Sequence, residues 1–384
     1  MPDRVAIVGV GHTQFRATSP GVSYKEIMFE AATKAYADAD LDPRRDIDSF
    51  VCCSEDFSEG TGIFDEYVPD QIGAALRPVH TISGDGLQGV AAAYMQILTG
   101  AFEVVAVEAH SKASNILPPG HVLALALDPI FVRPLGAHPH FVAGLEMSRY
   151  LAESGASRQQ CGHVVAKNRG NALFNDAAAY AADLEAEDVL QGEPAFWPLS
   201  RLDISAPADG AVVVVLASEA RARALGIEPI WILGAGWCSD SYALDSREWG
   251  TAVYARLAAE QAYRQAGISS PSRDIDFAEV DDTFSYKELQ HLEALGIFRP
   301  GEAGMATEEG ATHLDGDFPV NPSGGSLGVG HLGEANGLQK VVEVVRQLRE
   351  EAGPRQIPDV EVGLAQSWRG VPTATGAVVI LSRE

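Results

Sequence analysis

Five features of the chain recur in one order, the first three of them about 226 residues apart, and this duplication restricts the fold more than any other property of the sequence. VAIVGVGHT (5–13) is matched by IWILGAGWC (230–238), both apolar strands closing on Gly-x-Gly. AATKAYADA (31–39) is matched by AAEQAYRQA (258–266), and RDIDSFVCCSEDFS (45–58) by RDIDFAEVDDTFS (273–285). A glycine elbow with a long helix follows in each copy: SGDGLQGVAAAYMQIL (83–98) and SGGSLGVGHLGEANGLQKVVEVV (323–345). Each copy then reaches an edge-like strand, FEVVAVEAHS (102–111) and VEVGLAQSWRG (360–370), and a final strand within 205–218 and 373–382.

A repeat of this length means duplicated domains and not a solenoid. The expected halves are 1–225 and 226–384. Strands alternate with amphipathic helices in both, which predicts α/β layers around a parallel or mixed sheet. Residues from about 110 to 200 have no second copy; they are rich in Pro, His and Gly and then turn helical. Such an insertion is expected to cover a site as a loop domain. If the halves pack about a pseudo-two-fold axis, their glycine-rich helix starts converge on one pocket. Backbone N–H groups at a helix start attract negative charge.

Charge excludes one large class of function. The chain carries 28 basic and 53 acidic residues, a net charge of −25, so it has no basic run to neutralise a nucleic-acid backbone. A phosphorylated ligand would need a local basic patch. No apolar run approaches the roughly 18 residues of a membrane span, and VAIVGVG begins a strand where a signal peptide would have its apolar core. These features read as a cytoplasmic protein. Cys52, Cys53, Cys161 and Cys238 read as reduced, structural thiols, and His138-Pro139-His140, the closest pair of histidines, reads as no metal site. No metal is expected.

Three positions have the chemistry of a site. Ser83, in the first elbow, is open to three roles: nucleophile, hydrogen-bond donor or helix cap. His331, in a glycine-walled loop, suits proton transfer near neutral pH. Asp281 and Asp282 close the strand DFAEV, where open α/β sheets place their sites; Asp281 reads as a general base and Asp282 as the cap of the helix after it. Tyr286 reads as helix packing, with substrate contact as the other role. Gly84, Gly325 and Gly330 supply backbone beside the elbows and read as substrate-binding positions.

NPSGGSLGVGHLGEANG (321–337), RLDISAPADGAVVVVLASEARA (201–222) and EVDDTFSYKELQHLEALGI (279–297) resemble the signature stretches of the thiolase superfamily, specifically its sterol-carrier-protein-X type. The resemblance runs over essentially the whole chain. It implies a duplicated thiolase fold, five layers αβαβα with an inserted loop domain, in a dimer. The family's nucleophilic cysteine falls on Ser83, and the histidine of its HDCF stretch on Asp281. The histidine of its GHP loop is kept as His331, with Leu332 where the family has proline. The second catalytic cysteine has no counterpart, and Ser367-Trp368-Arg369-Gly370 occupies that loop.

Thiolysis needs a thiolate, and here the thiol is missing. A carboxylate, a histidine and no thiol suit retro-aldol cleavage of a β-hydroxyacyl-CoA, in which the thioester enolate is held by oxyanion donors. The resemblance extends to thiolase-like aldolases that cleave steroid side-chain CoA thioesters with a small zinc-ribbon/OB-fold partner. Those carry tyrosines where thiolases carry the two histidines, unlike Asp281 and His331 here. The implied reading is a CoA-thioester lyase with acyl-CoA as substrate and no covalently bound cofactor. Two alternatives stay open: an acyltransferase or condensing enzyme using Cys52, Cys53 or Ser83, and a non-catalytic acyl-CoA-binding scaffold.

Overall fold

The computed structural model describes residues 4–56, 63–116, 119–241, 243–371 and 374–384; the Phe57-Ser58 end of the third repeated feature lies outside the described residues. The principal elements are, in chain order, β1 (Val5–His12), α1 (Tyr24–Asp38), β2 (Ser49–Cys53), β3 (Val79–Ile82), α2 (Gly86–Leu98), β4 (Val104–Lys112), α3 (Pro139–Ser154), α4 (Arg158–Asn171), β5 (Asp209–Ser218), β6 (Ile230–Ser239), α5 (Val253–Ala266), β7 (Phe277–Glu279), α6 (Ser285–Ala294), α7 (Gly325–Val329), α8 (Asn336–Leu348), β8 (Val362–Arg369) and β9 (Thr375–Ser382).

The nine strands join in the order β3-β2-β4-β5-β1-β6-β9-β8-β7. β2 runs parallel to β3 and β4, and β8 parallel to β7; the remaining pairs are antiparallel. A two-residue pairing of Ala6 with Trp231 and Ile7 with Ile230 joins the five strands before residue 225 to the four after it.

Residues alternate between the two faces of each strand, and here both faces are apolar. Val212, Val214 and Leu216 of β5 turn inward onto α2 and α8, whereas Ala211, Val213, Val215 and Ala217 turn outward onto α1. On β9, Ala377, Val379 and Leu381 face the central helices, and Val378 and Ile380 face α5 and α6. Continuous apolar strands are what burial on both faces demands. The result is five layers, with α1 outside one sheet segment, α5 and α6 outside the other, and α2 and α8 between them.

The two strands read as edge-like are interior. β4 lies between β2 and β5, β8 between β9 and β7, and every residue of β4 is buried. The true edges are the short β3 and β7. The polar residues that made β4 look like an edge pair internally, with Glu108 on His110 at 2.9 Å and Lys112 on Asp209 at 2.6 Å.

The single-copy segment packs through α3 and α4 onto the outer core of the second sheet segment, where Val142, Met147, Tyr150, Val164 and Val165 meet Phe284 and Leu289. Among the described residues no helix is long and apolar enough to cross a membrane.

Candidate functional site

Asp85 draws the two elbows together. It is the N-cap of α2, its Oδ1 accepting the N–H of Leu87 at 2.8 Å. Its Oδ2 accepts the N–H of Gly337, in the first turn of α8, at 3.0 Å. Burial raises Asp85 from 3.8 to about 6, against the opposing pull of the Ser367 hydroxyl and of these two N–H groups; Asp281 adds to the rise. Ser83 is therefore not the cap of α2. It stands two residues earlier and is exposed, and its carbonyl accepts Arg369 Nη1 at 3.4 Å. Arg369 also pairs with the buried Glu55. Gly84 is buried beside Gln88, in the space a Cβ would need.

Asp281 lies just beyond β7, wholly buried, with its backbone gripped at both ends. Its N–H donates to Gln366 Oε1 at 2.8 Å, and its carbonyl lies 2.9 Å from His291 Nδ1. Oδ1 accepts the N–H of Thr283 at 3.0 Å, while Oδ2 has no partner among the described residues. The buried hydroxyls of Thr283 and Ser205 are likewise unpartnered. Buried polar atoms are almost always satisfied, so orphans on neighbouring segments mark a place for a ligand.

His331 enters from the loop after α7. Its backbone is clamped to the 205–208 segment: its N–H donates to Ala206 O at 2.8 Å, and its carbonyl accepts the N–H of Ala208 at 2.9 Å. Ser205 N–H donates in turn to Thr283 O at 2.9 Å, so His331 and Asp281 flank one segment. Burial, and then Lys340, lower His331 to about 4, so the ring is neutral at neutral pH. Nδ1 accepts the Gly333 N–H at 3.2 Å, and a neutral imidazole carries one proton. That proton is on Nε2, and His331 is a donor there. His140, from the start of α3, stands edge-on to Phe284 at 5.4 Å and is lowered to about 4 by burial, by His138 and by His331.

Several residues take duties other than those the sequence implied. Asp282 does not cap α6, whose N-cap is Phe284 with no side-chain bond. Its carboxylate accepts the N–H groups of Ser326 at 2.5 Å and Leu327 at 3.1 Å in α7, and Asn168 Nδ2 at 2.7 Å. Gly325, at φ +55°, leaves the space that Asp282 fills, and Gly330, at φ +112°, packs on Ala208 and Tyr180. Both glycines shape the loop that presents His331. Tyr286 is wholly buried with its hydroxyl on Glu146 at 2.8 Å, which places it in the core and not at the substrate. Cys52 and Cys53 are also wholly buried; Cys52 Sγ donates to Glu108 at 3.0 Å and burial raises the Cys53 thiol far up, so neither supplies a thiolate. His138 caps α3, its Nδ1 accepting the N–H of His140 at 3.1 Å, and stacks on Phe196. Among the described residues no group of three His, Cys, Asp or Glu side chains is placed to hold a metal ion.

Sequence reasoning missed Asp85, Gln366 and His291. For Asp85 the signal was present, since an Asp directly before an apolar helical run is an N-cap signature. Gln366 and His291 act through distant contacts that no local pattern encodes.

Comparison with known proteins places the fold in a family. A family model described as Thiolase C-terminal domain-like matches residues 236–383. The chain is 32% identical over 387 residues to an acetyl-CoA acetyltransferase of Methanothermobacter thermautotrophicus, covering 99% of each chain. The chain belongs to the thiolase superfamily. It is also 30% identical over 386 residues to the 17-hydroxy-3-oxo-4-pregnene-20-carboxyl-CoA lyase of Mycobacterium tuberculosis, covering 97% of this chain and 98% of that one. The solved Ltp2-ChsH2(DUF35) aldolase superposes with a TM-score of 0.85 at 28% identity, over 99% of this thiolase-superfamily chain and 98% of that one. The five-layer architecture and inserted segment are those of the thiolase fold. Relatives thus include proteins named for acyl transfer and proteins named for carbon–carbon cleavage.

Proposed function

We propose that this chain is a CoA-thioester lyase that cleaves a β-hydroxyacyl-CoA by a retro-aldol reaction. The observation that carries this reading is a buried carboxylate with one oxygen unpartnered among the described residues, Asp281, and a neutral imidazole donor, His331, on segments that hydrogen-bond to the same 205–208 stretch, with serine and no thiol at the first elbow. Asp281 takes the β-hydroxyl proton. The oxygen's electrons form the new C=O, the Cα–Cβ bond breaks, and its electron pair passes into the thioester as an enolate. His331 Nε2–H and the backbone N–H groups of the Ser83–Gly84 elbow hold the developing oxyanion. Asp281 then returns the proton to Cα, so the products are a ketone or aldehyde and a shortened acyl-CoA.

Acyl transfer is the weaker reading, although several relatives are named for it. It needs a nucleophile, and the buried Cys52 and Cys53 supply no thiolate while Ser83 lacks a base among the described hydrogen bonds. By analogy with the relatives, the acyl group is a steroid side chain, and the working assembly is a homodimer with a DUF35-type zinc-ribbon/OB-fold partner. The test is turnover of 17-hydroxy-3-oxo-4-pregnene-20-carboxyl-CoA, with and without a DUF35 partner, followed by mass spectrometry of both products. Asp281→Asn and His331→Ala should each lower kcat by about 100-fold or more. Undiminished turnover in both variants would overturn the site assignment.

A further inference from the structure

Behind Asp281 runs a buried chain of polar groups that the proposed reaction does not use. Glu146 of α3 pairs with Lys287 of α6 at 2.8 Å. Lys287 Nζ also donates to Gln290 Oε1 at 2.8 Å and to Tyr254 Oη at 3.1 Å. Tyr254 Oη lies 2.9 Å from His291 Nε2, and His291 Nδ1 lies 2.9 Å from the carbonyl oxygen of Asp281. Every one of these side chains is buried, and Lys287 is further enclosed by the face of Trp368 at 4.2 Å.

The proton positions follow from what each group can do. A backbone carbonyl only accepts, so His291 Nδ1 carries the hydrogen. An ammonium only donates, so Tyr254 Oη accepts from Lys287 and its own hydrogen is free to point at His291 Nε2. Burial, and then the charge of Lys287, hold His291 well below the ordinary histidine range, so the ring is neutral and carries a single proton. The direction of donation therefore runs one way, from Lys287 through Tyr254 and His291 to Asp281.

We propose that Tyr254 fixes the tautomer of His291 and that His291, so fixed, holds the backbone of Asp281 in the orientation its base function needs; Lys287, Tyr254 and His291 are positioning residues. Without the Tyr254 hydroxyl, Nε2 becomes a buried acceptor with no donor and only the Asp281 carbonyl still selects the tautomer, so the form protonated on Nε2 gains population. Its Nδ1 lone pair then faces the Asp281 carbonyl lone pairs and the clamp becomes repulsive. A wrongly protonated imidazole can cost a catalytic group most of its rate while leaving the fold intact. This inference rests on the reading of Asp281 as the base.

The experiment has a spectroscopic arm and a kinetic arm. In full-length protein labelled with 15N-histidine, His291 should be neutral at neutral pH and should show its proton on Nδ1. Tyr254→Phe should shift the His291 ring nitrogens toward a mixture of tautomers. A wild-type His291 protonated on Nε2, or ring shifts unchanged in Tyr254→Phe, would overturn the proposal whatever the reaction is. In turnover of 17-hydroxy-3-oxo-4-pregnene-20-carboxyl-CoA, Tyr254→Phe should lower kcat about 10- to 100-fold with KM changed less than about 3-fold. The amide N–H of glutamine can reach the carbonyl without a tautomer to choose. In a His291→Gln background, adding Tyr254→Phe should therefore cost less than about 2-fold. An equal loss in both backgrounds would contradict the tautomer mechanism. If Asp281→Asn retains full turnover, the reading of the base fails, and the nitrogen shifts still decide the clamp on their own.

Discussion

Asp85 binds the N–H of Gly337 at 3.0 Å across 252 residues of sequence, and so couples the first turns of the two central helices. With its other oxygen on Leu87, one carboxylate serves the helix starts of both repeats. Removing it leaves two buried N–H donors unsatisfied. Asp85→Ala should lower stability by about 2–4 kcal/mol, read from chemical denaturation with an unchanged slope. A loss below about 1 kcal/mol would mean that the elbows are held together by packing alone. Burial raises the Asp85 pKa, so the folded state keeps its proton more readily, and this residue's contribution to stability falls as pH rises from 3.8 to about 6.

Gly325 has a positive φ and the Asp282 carboxylate fills the space of its missing Cβ. Gly325→Ala should therefore cost about 3 kcal/mol or more and displace the loop carrying His331. Thermal unfolding and turnover of the same variant should fall together; retained stability would show that the loop can re-form around a side chain.

His331 gives a pH dependence of the opposite sign to Asp85. Its folded pKa is about 4 and its unfolded value 6.5, so unfolding takes up a proton between these limits. Stability from this group is present above pH 6.5 and is lost as pH falls toward 4. His12 and His140, both also near 4, act in the same direction. His331→Asn should flatten the fall in stability between pH 6.5 and 4 by about 1–2 kcal/mol, measured by urea titration across that range. An unchanged slope would contradict a neutral, half-buried His331.

Ser83 provides a direct contrast between the two chemistries. If it only lends its backbone to the elbow, Ser83→Ala keeps turnover within about 5-fold of wild type. A nucleophile would lose several orders of magnitude. Steady-state rates separate these outcomes.

The duplication, the layers and the insertion were legible in the sequence because apolar periodicity and repeated motifs are local signals. Asp281 and His331 stood out as candidate positions for the same reason, since each lies in a recognisable segment. The edge assignment of β4 was not, because strand order depends on which neighbours arrive later in the chain. Asp282 was read as the cap of the helix that follows it, and it caps α7 more than forty residues on. Tyr286 and its neighbour Lys287 sit in a segment whose sequence is rich in polar residues, yet both are enclosed, because Glu146 from the inserted segment supplies the partner. Long-range pairing of this kind leaves no periodic trace.

The central claim is carbon–carbon cleavage without an acyl-enzyme, and rapid quench of the protein with 17-hydroxy-3-oxo-4-pregnene-20-carboxyl-CoA, followed by intact-protein and product mass spectrometry, tests it most directly. The expected result is a carbonyl product and a shortened acyl-CoA in equal amounts, with the protein mass unchanged at every time point. An acyl adduct on Ser83 or on a cysteine, formed and consumed at the rate of turnover, would contradict it.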